Sequence, residues 1–340
     1  MTTPSTPLGV AVVGLGVGEQ HVRAYGRLPS CRVRMLCDID VSRAERLAKE
    51  FPGATITTRY EDIVVRDDIA VVSIASFDEA HFAQVTAALR ARKHVFVEKP
   101  LCRTADELRE IRRLVDSAGG RLHLEANLVL RSAPIYVWLK EAIGSGEFGE
   151  IYAFDGDYLY GRLEKITGGW RKDEPDYSVM LGGGIHLIDL MVWLTGQRPT
   201  TVSCMANAIA SRGSEFHYPD FAAATLSFES GLVGRITANF GCVHKHQHVV
   251  RVFGTKKTFL LDDAGPRIIA TRDPAAHARP AEFATLPANK GALIPGFIAA
   301  ITNGATADTP ERRAIFEGIS IAAACDTAIK TKALERVNYT

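Results

Sequence analysis

Apolar runs and polar faces alternate regularly through the first third of the chain. Leu8 to Val13 is almost continuously apolar, as a strand buried on both faces must be. A helical spacing then extends to Leu28. Arg32 to Cys37 reads as a strand, Val41 to Phe51 as a helix, Ala54 to Thr57 as a short strand and Tyr60 to Val65 as a short helix. Ile69 to Ala75 is a buried strand, His81 to Arg92 a helix, His94 to Val97 a strand, Ala105 to Ala118 a helix stopped by Gly119-Gly120, and Arg121 to Leu124 a strand. Strands that alternate with helices over short connections predict a parallel, doubly wound α/β sheet.

After about Glu125 the texture changes. A helix over Ser132 to Ile143 is followed by strands at Ile151-Leu159, Thr201-Ala208, Ala222-Phe228, Leu232-Phe240, His248-Phe253 and Thr258-Leu261. Short turns join the later ones, which predicts an open, mostly antiparallel sheet. One helix from Gly184 to Leu194 interrupts them, and helices over Pro295-Thr302 and Thr309-Thr331 close the chain. The expectation is two domains: residues 1–125, α/β, and residues 126–340, α+β.

Composition narrows the partners. Of 340 residues, 46% are hydrophobic and 23% charged, which is ordinary globular usage. Forty basic side chains against thirty-nine acidic ones leave +1, no electrostatic footprint for nucleic acid or an anionic membrane. A small molecule becomes the default partner. Met1 to Pro7 has no basic or apolar leader pattern, and no run approaches the ~18 apolar residues of a membrane span, so a cytoplasmic location is expected. Six scattered cysteines form no CxxC or metal-finger spacing and read as reduced small hydrophobes.

The first strand runs into Gly14-Leu15-Gly16-Val17-Gly18-Glu19 and then a helix. In such a turn Gly14 permits the bend, Gly16 lets a pyrophosphate approach the backbone, and the helix offers its N-terminal amides. Glu19 stands where a third glycine belongs, unless Gly18 fills that role. Asp38 ends the second strand, where a carboxylate can accept both ribose hydroxyls and repel a 2′-phosphate, arguing for NAD over NADP. Alternatively it initiates a turn, and Ser42 with Arg43 offers phosphate contacts. The crevice of the sheet would be lined by Gly14 to Gly18, Asp38, Ser76 to His81 and Glu98-Lys99-Pro100. Lys99 leaves a strand end on a turn stiffened by proline, aimed at a ligand or simply at water.

A second candidate lies in Gly182-Gly183-Gly184-Ile185-His186-Leu187-Ile188-Asp189. Three glycines bring the backbone close to something, and His186 and Asp189, at i and i+3, share a helix face. His186 can exchange a proton with a hydroxyl near neutral pH, or it is a core histidine tied to Asp189. Tyr160 precedes a loop in which Arg162, Lys165, Arg171 and Lys172 surround Trp170; it either closes over an anionic ligand such as a sugar acid or is a solvated surface. His244, His246 and His248 would share one face of a strand, but with no acidic ligand beside them no metal site is expected.

Together these residues resemble the glucose-fructose oxidoreductase/inositol dehydrogenase/rhizopine catabolism (Gfo/Idh/MocA) family. The resemblance spans nearly the whole chain: the glycine turn, Asp38, Glu98-Lys99-Pro100, Arg131-x-x-Pro134, Ser145 to Gly149, Gly184-x-His186-x-x-Asp189 and Phe253-Gly254-Thr255. It implies an N-terminal Rossmann domain and a C-terminal domain whose sheet mediates homodimers or homotetramers. It also implies NAD(P)-dependent oxidation of a sugar, cyclitol or related polyol, the substrate carbinol lying between nicotinamide, Lys99 and His186. Lys99 would have to be partly neutral, which burial beside a cationic ring favours. Under this resemblance Lys99, His186 and Asp189 are the expected catalytic groups. Gly14, Leu15, Gly16, Val17, Gly18, Asp38, Ser76, His81, Glu98 and Lys99 are expected at the cofactor, and Tyr160, Trp170, Arg171, His186 and Asp189 at the substrate. One departure stands out: family dehydrogenases often carry an aspartate at the position of Gly182. Asp189 would then serve by fixing His186, or Tyr160 or Asp157 would enter. Phe77-Asp78 likewise replaces the family's proline and asparagine. The alternatives are a redox-neutral enzyme that retains NAD and modifies or cleaves a sugar, and an NAD-binding sugar sensor without turnover.

Overall fold

The computed structural model describes residues 6–340; Met1–Ser5, the head of the stretch read as lacking a leader, lie outside the described residues. Its first unit is built on strands of which the central ones are buried on both faces, as continuous apolar runs require, while the edge strand Thr55–Thr57 is largely exposed. These are β1 (Leu8–Val13), β2 (Cys31–Cys37), β3 (Thr55–Thr57), β4 (Val71–Ile74), β5 (His94–Val97) and β6 (Leu124–Ala126). All pair in parallel in the order β3-β2-β1-β4-β5-β6, so the strand order reverses between β1 and β4. Helices α1 (Gly18–Gly26), α2 (Val41–Ala48), α3 (Glu61–Val64), α4 (Asp78–Arg90) and α5 (Ala105–Ser117) make the crossovers. Thr104 and Glu107 close α5 with a capping box, two orphan amides satisfied reciprocally. β6 starts three residues later than expected, because Gly119 and Gly120, both at positive φ, turn the chain before it enters the sheet.

The second unit carries α6 (Pro134–Gly144), the central strand β7 (Ile151–Leu159), a short α7 (Glu164–Thr167) and α8 (Ile185–Thr195). Its remaining strands are β8 (Pro199–Asn207), β9 (Phe221–Phe228), β10 (Val233–Asn239), β11 (Gln247–Gly254), β12 (Thr258–Asp262), β13 (Gly265–Ile269), β14 (Arg279–Pro280) and β15 (Glu335–Arg336). They form one nine-stranded sheet in the order β14-β13-β12-β11-β7-β10-β9-β8-β15. The sheet is mixed, since β10 lies parallel to β7 while the other pairs are antiparallel. The chain's last two helices are α9 (Ile294–Thr302) and α10 (Pro310–Thr331).

The chain divides into residues 1–129 with 287–315, and 130–286 with 316–340. The expected second domain of residues 126–340 is therefore interrupted. Ile294, Phe297 and Ile298, on one face of α9, join Val10, Val12, Val22, Tyr25 and Phe96 in the core of the first unit. Phe297 meets Phe96 with ring centroids 5.6 Å apart. An apolar face whose partners lie about 200 residues or more upstream leaves no local signal of its destination. Among the described residues no helix is long and apolar enough to cross a membrane.

Candidate active site

In the first unit the carboxyl ends of β1, β2, β4 and β5 supply the expected loops. Gly14 has φ +78°, and a Cβ there would lie 2.3 Å from the Ala75 carbonyl oxygen, so only glycine fits. Around Gly16 there is room: a Cβ would meet nothing nearer than the Arg43 guanidinium at 3.8 Å. Gly18 opens α1, and a Cβ there would sit 3.1 Å from Val12 and 3.3 Å from Ala75. Gly18 thus provides the close helix–strand packing of the third glycine in a turn one residue shorter than usual. Glu19, in the customary place of that glycine, turns outward to Arg23 and Arg46. No side chain caps α1, and Val17 is its N-cap, so its amide end is offered to an anion.

Asp38 is buried, and its carboxylate accepts from the Leu15 amide at 2.5 Å and the Asp40 amide at 2.8 Å. These bonds pin the end of β2 to the glycine turn. A carboxylate has further lone pairs for ribose hydroxyls, so turn, helix end and Asp38 fit a dinucleotide. Ser76 bonds Gln84 at 2.7 Å. His81, expected at the cofactor, has protein partners on both ring nitrogens. Its side chain is fully buried, with Nδ1 2.6 Å from the Pro100 carbonyl and Nε2 3.2 Å from the Ser76 carbonyl, so it fastens two crevice loops to each other.

The β5 end is held from beneath by a network that the sequence reading missed. Glu98 Oε1 lies 3.3 Å from His21 Nε2 and accepts from Asn127 Nδ2 at 2.7 Å. The other His21 nitrogen is 3.0 Å from the Ser73 hydroxyl, and Asn127 also donates to the Lys290 carbonyl at 2.7 Å. Burial raises the Glu98 carboxyl, but the hydrogen bond and charge of His21, the charge of Lys290 and the Asn127 bond outweigh it and hold it at about 2. An ionised Glu98 bonded by His21 and Asn127 makes a rigid base for the next residue, Lys99, whose bond to Pro100 is cis. Only the contrast of a buried polar His21 within an amphipathic helix could have pointed to this network.

In the second unit the glycines do meet something: aromatic rings. Met180–Gly184 forms a π-helical turn leading into α8, a distortion often found where helices serve a site. A Cβ at Gly183 would lie 2.4 Å from the Tyr158 ring, and one at Gly182 would lie 2.3 Å from the Tyr177 hydroxyl oxygen. The His186 ring stacks at 6.1 Å and 20° on Tyr158 and meets His248 at 5.7 Å. Tyr158 also meets His246 and His248, each at 5.3 Å, and Phe240 at 5.6 Å. Tyr160 lies 4.8 Å from Phe240. The register explains the gathering, since Tyr158 faces His248 on β11 and Ala238 on β10.

Two expectations here are corrected. Asp189 does not fix His186: its two carboxylate oxygens accept from Nε (2.9 Å) and Nη2 of Arg131, both side chains being buried. Burial pushes the Asp189 carboxyl up against the pull of Arg131. Asp157 is bonded to Thr237, Arg235 and Arg251, and strand alternation puts it on the sheet face opposite Tyr158. The three histidines also part company. His244 precedes β11 and pairs with Asp263 at 2.9 Å, whereas His246 and His248 join the aromatic cluster. Among the described residues no group of three or more His, Cys, Asp or Glu could hold a metal.

The loop of residues 162–177 converges on the same cluster. The Arg171 guanidinium lies 4.5 Å from the Trp170 ring and 5.9 Å from Tyr160, and its Nε donates to the Tyr177 hydroxyl at 3.1 Å. Arg162 sits 5.6 Å from Tyr160.

Family models match both units: the oxidoreductase family with an NAD-binding Rossmann fold over residues 8–126, and the Gfo/Idh/MocA C-terminal domain over residues 136–260. The chain belongs to the Gfo/Idh/MocA oxidoreductases. An oxidoreductase of Bacillus subtilis, YrbE, is 29% identical over 268 residues, 76% of this chain and 74% of its own. An inositol 2-dehydrogenase of Rubrobacter xylanophilus is 26% identical over 99% of this chain and 95% of its own. The Lactobacillus casei scyllo-inositol dehydrogenase, solved with NAD(H) and scyllo-inositol, has the same fold: TM-score 0.78 at 18% identity, over 98% of this chain and 99% of that one. Membership makes the protein an NAD-dependent oxidoreductase.

Proposed function

We propose that this oxidoreductase transfers a hydride between a secondary hydroxyl of a sugar, cyclitol or related polyol and NAD, and that Lys99 and His186 handle the hydroxyl proton. The observation that carries the reading is the Glu98-Lys99-Pro100 turn. An amine stands at the carboxyl end of β5, in the strand-end region where parallel sheets bind ligands, on a residue whose neighbour Glu98 is held by the side chains of His21 and Asn127. NAD, when bound, supplies the hydride acceptor. The chain's own work is to orient the carbinol and to take its proton, by the Lys99 amine with His186 as partner. Asp189 enters as the anchor of α8 to Arg131, which keeps His186 in place. Tyr160, Trp170 and Arg171 supply aromatic faces and a cation for the substrate. The dehydrogenase names of the relatives support the substrate class.

Further parts of the reading are a cytoplasmic setting, which suits six free cysteines, and a homodimer or homotetramer joined through the second unit's sheet. A redox-neutral, NAD-retaining reaction is the second reading, favoured by one observation: a phenol rather than a carboxylate lies beside residue 182. The test is Lys99→Met against the parent protein. Nicotinamide binding should persist by fluorescence titration while turnover falls by about three orders of magnitude, the range of a lost general base. Turnover kept within a few-fold would remove Lys99 from the mechanism.

A further inference from the structure

The π turn that leads into His186 is anchored by one serine. Ser178 Oγ accepts from the Leu181 amide at 3.0 Å, and the Ser178 carbonyl accepts from the Gly182 amide at 2.8 Å. Two amides of the turn Met180–Gly184 are thus satisfied by this residue, much as a cap satisfies the open end of a helix. The same hydroxyl donates its proton to Asp326 Oδ1 at 2.8 Å, on α10. One chain of hydrogen bonds therefore runs from the Leu181 amide through Ser178 to a carboxyl, with every donor pointing the same way, so that each bond polarises the next. Its strength depends on the last acceptor, because a carboxylate draws a hydroxyl roughly twice as strongly as a neutral group does.

Asp326 is placed to change that acceptor. It is half-buried on the wall of a cavity of about 160 Å³, and the titratable groups that line the cavity with it are Asp176, Tyr177, Tyr218 and Lys330. Lys330, one turn further along α10, favours the ionised form. Cys325, next to Asp326 in the chain, is bonded to Cys204 of β8, and that bond and burial keep it a thiol. Burial outweighs Lys330 and the Ser178 bond and holds the Asp326 carboxyl at about 6, so its charge changes within the range in which enzymes work.

We infer that Asp326 is a positioning residue for His186: through Ser178 it sets the π turn, and its ionised form holds the turn in the geometry that serves the hydroxyl proton. This rests on the role proposed above for His186, so the clamp is read first without turnover. Labelling with carbonyl-13C methionine and 15N leucine isolates the amides of Leu36 and Leu181, since Met-Leu occurs only at residues 35–36 and 180–181. The Leu181 amide proton should move downfield as pH rises from 5 to 8, with its midpoint near 6. Asp326→Asn, which keeps an acceptor but no charge, should abolish that titration, and so should Ser178→Ala. A Leu181 amide that does not titrate in this range, or titrates unchanged in Asp326→Asn, would overturn the inference. The second arm uses NAD with whichever of myo-inositol, scyllo-inositol, glucose and gluconate is oxidised. At pH 8, kcat in Asp326→Asn should be about fivefold below the parent's, the ratio for a charge-assisted bond traded for a neutral one, with KM within about twofold. Equal kcat in parent and variant at pH 8 would cut the link to His186 and overturn the inference as well. Absence of turnover with all four compounds, beside a Leu181 amide that titrates as described, would count against the dehydrogenase reading alone.

Discussion

Arg131→Met should destabilise the second unit severely, and the reason lies in the pair it breaks. Arg131 and Asp189 are 7% and 1% exposed, and the guanidinium meets both carboxylate oxygens. Deleting one partner of a buried pair leaves a charge that water cannot reach, a cost of about 3–5 kcal/mol. At about 2–4 °C per kcal/mol for a unit of this size, the melting transition should fall by roughly 10 °C. Methionine fills most of the arginine's stem volume, so little of the loss comes from a cavity. The pH dependence carries the diagnosis. Without the cation, Asp189 folds with its carboxyl raised further above the unfolded value. The penalty is thus largest above that raised value and shrinks as pH falls toward about 4, where the unfolded chain takes up the proton as well. Differential scanning calorimetry of parent and variant from pH 4 to 8 measures both effects. Arg131→Met with Asp189→Leu should recover part of the loss. A single variant that melts within 2 °C of the parent, or a deficit independent of pH, would refute the buried-pair account.

Glu98, held at about 2 by its partners, stabilises the first unit above the unfolded carboxyl value of about 4.5, and this support is lost as pH falls from there through 2. Glu98→Gln should therefore be destabilising by up to ~3 kcal/mol at pH 7 and nearly neutral near pH 2, as urea titrations at several pH values would show. Asp326 behaves oppositely: burial, only partly offset by its Ser178 bond, raises its carboxyl to about 6. Asp326→Asn should raise the melting temperature about twice as much at pH 8 as at pH 5 and hardly at all near pH 3; equal shifts at all three would contradict the assignment. Gly18→Ala places a methyl 3.1 Å from Val12 and should displace the start of α1, weakening NAD binding about tenfold with little change in the second unit's melting.

Much of the first unit was legible because parallel strands must be apolar on both faces and glycine turns punctuate them. β1 and β5 have the bounds read from the pattern, and Gly14 is forced by its positive φ and the Ala75 carbonyl. The second unit was legible in its strands but not in its pairing. No local pattern announces that β10 runs parallel to β7, or that short strands such as Arg279–Pro280 complete an edge. Contacts between residues far apart in the chain were invisible for the same reason. Spacing at i and i+3 suggested an Asp189–His186 pair, but Arg131, 58 residues upstream, takes that carboxylate. The aromatic cluster could not be read either, because Tyr158, Tyr177, Phe240 and His248 meet only through sheet register and the π turn.

The central claim is hydride transfer from a sugar-like hydroxyl, with Lys99 handling the proton. Its most direct test is the absorbance of reduced nicotinamide when purified protein meets NAD and a panel of inositols, sugars and sugar acids. The account predicts growth of that band with NAD and a substrate of this class, and its loss in Lys99→Ala. Tight NAD binding with no change in absorbance for any member of the panel would contradict it.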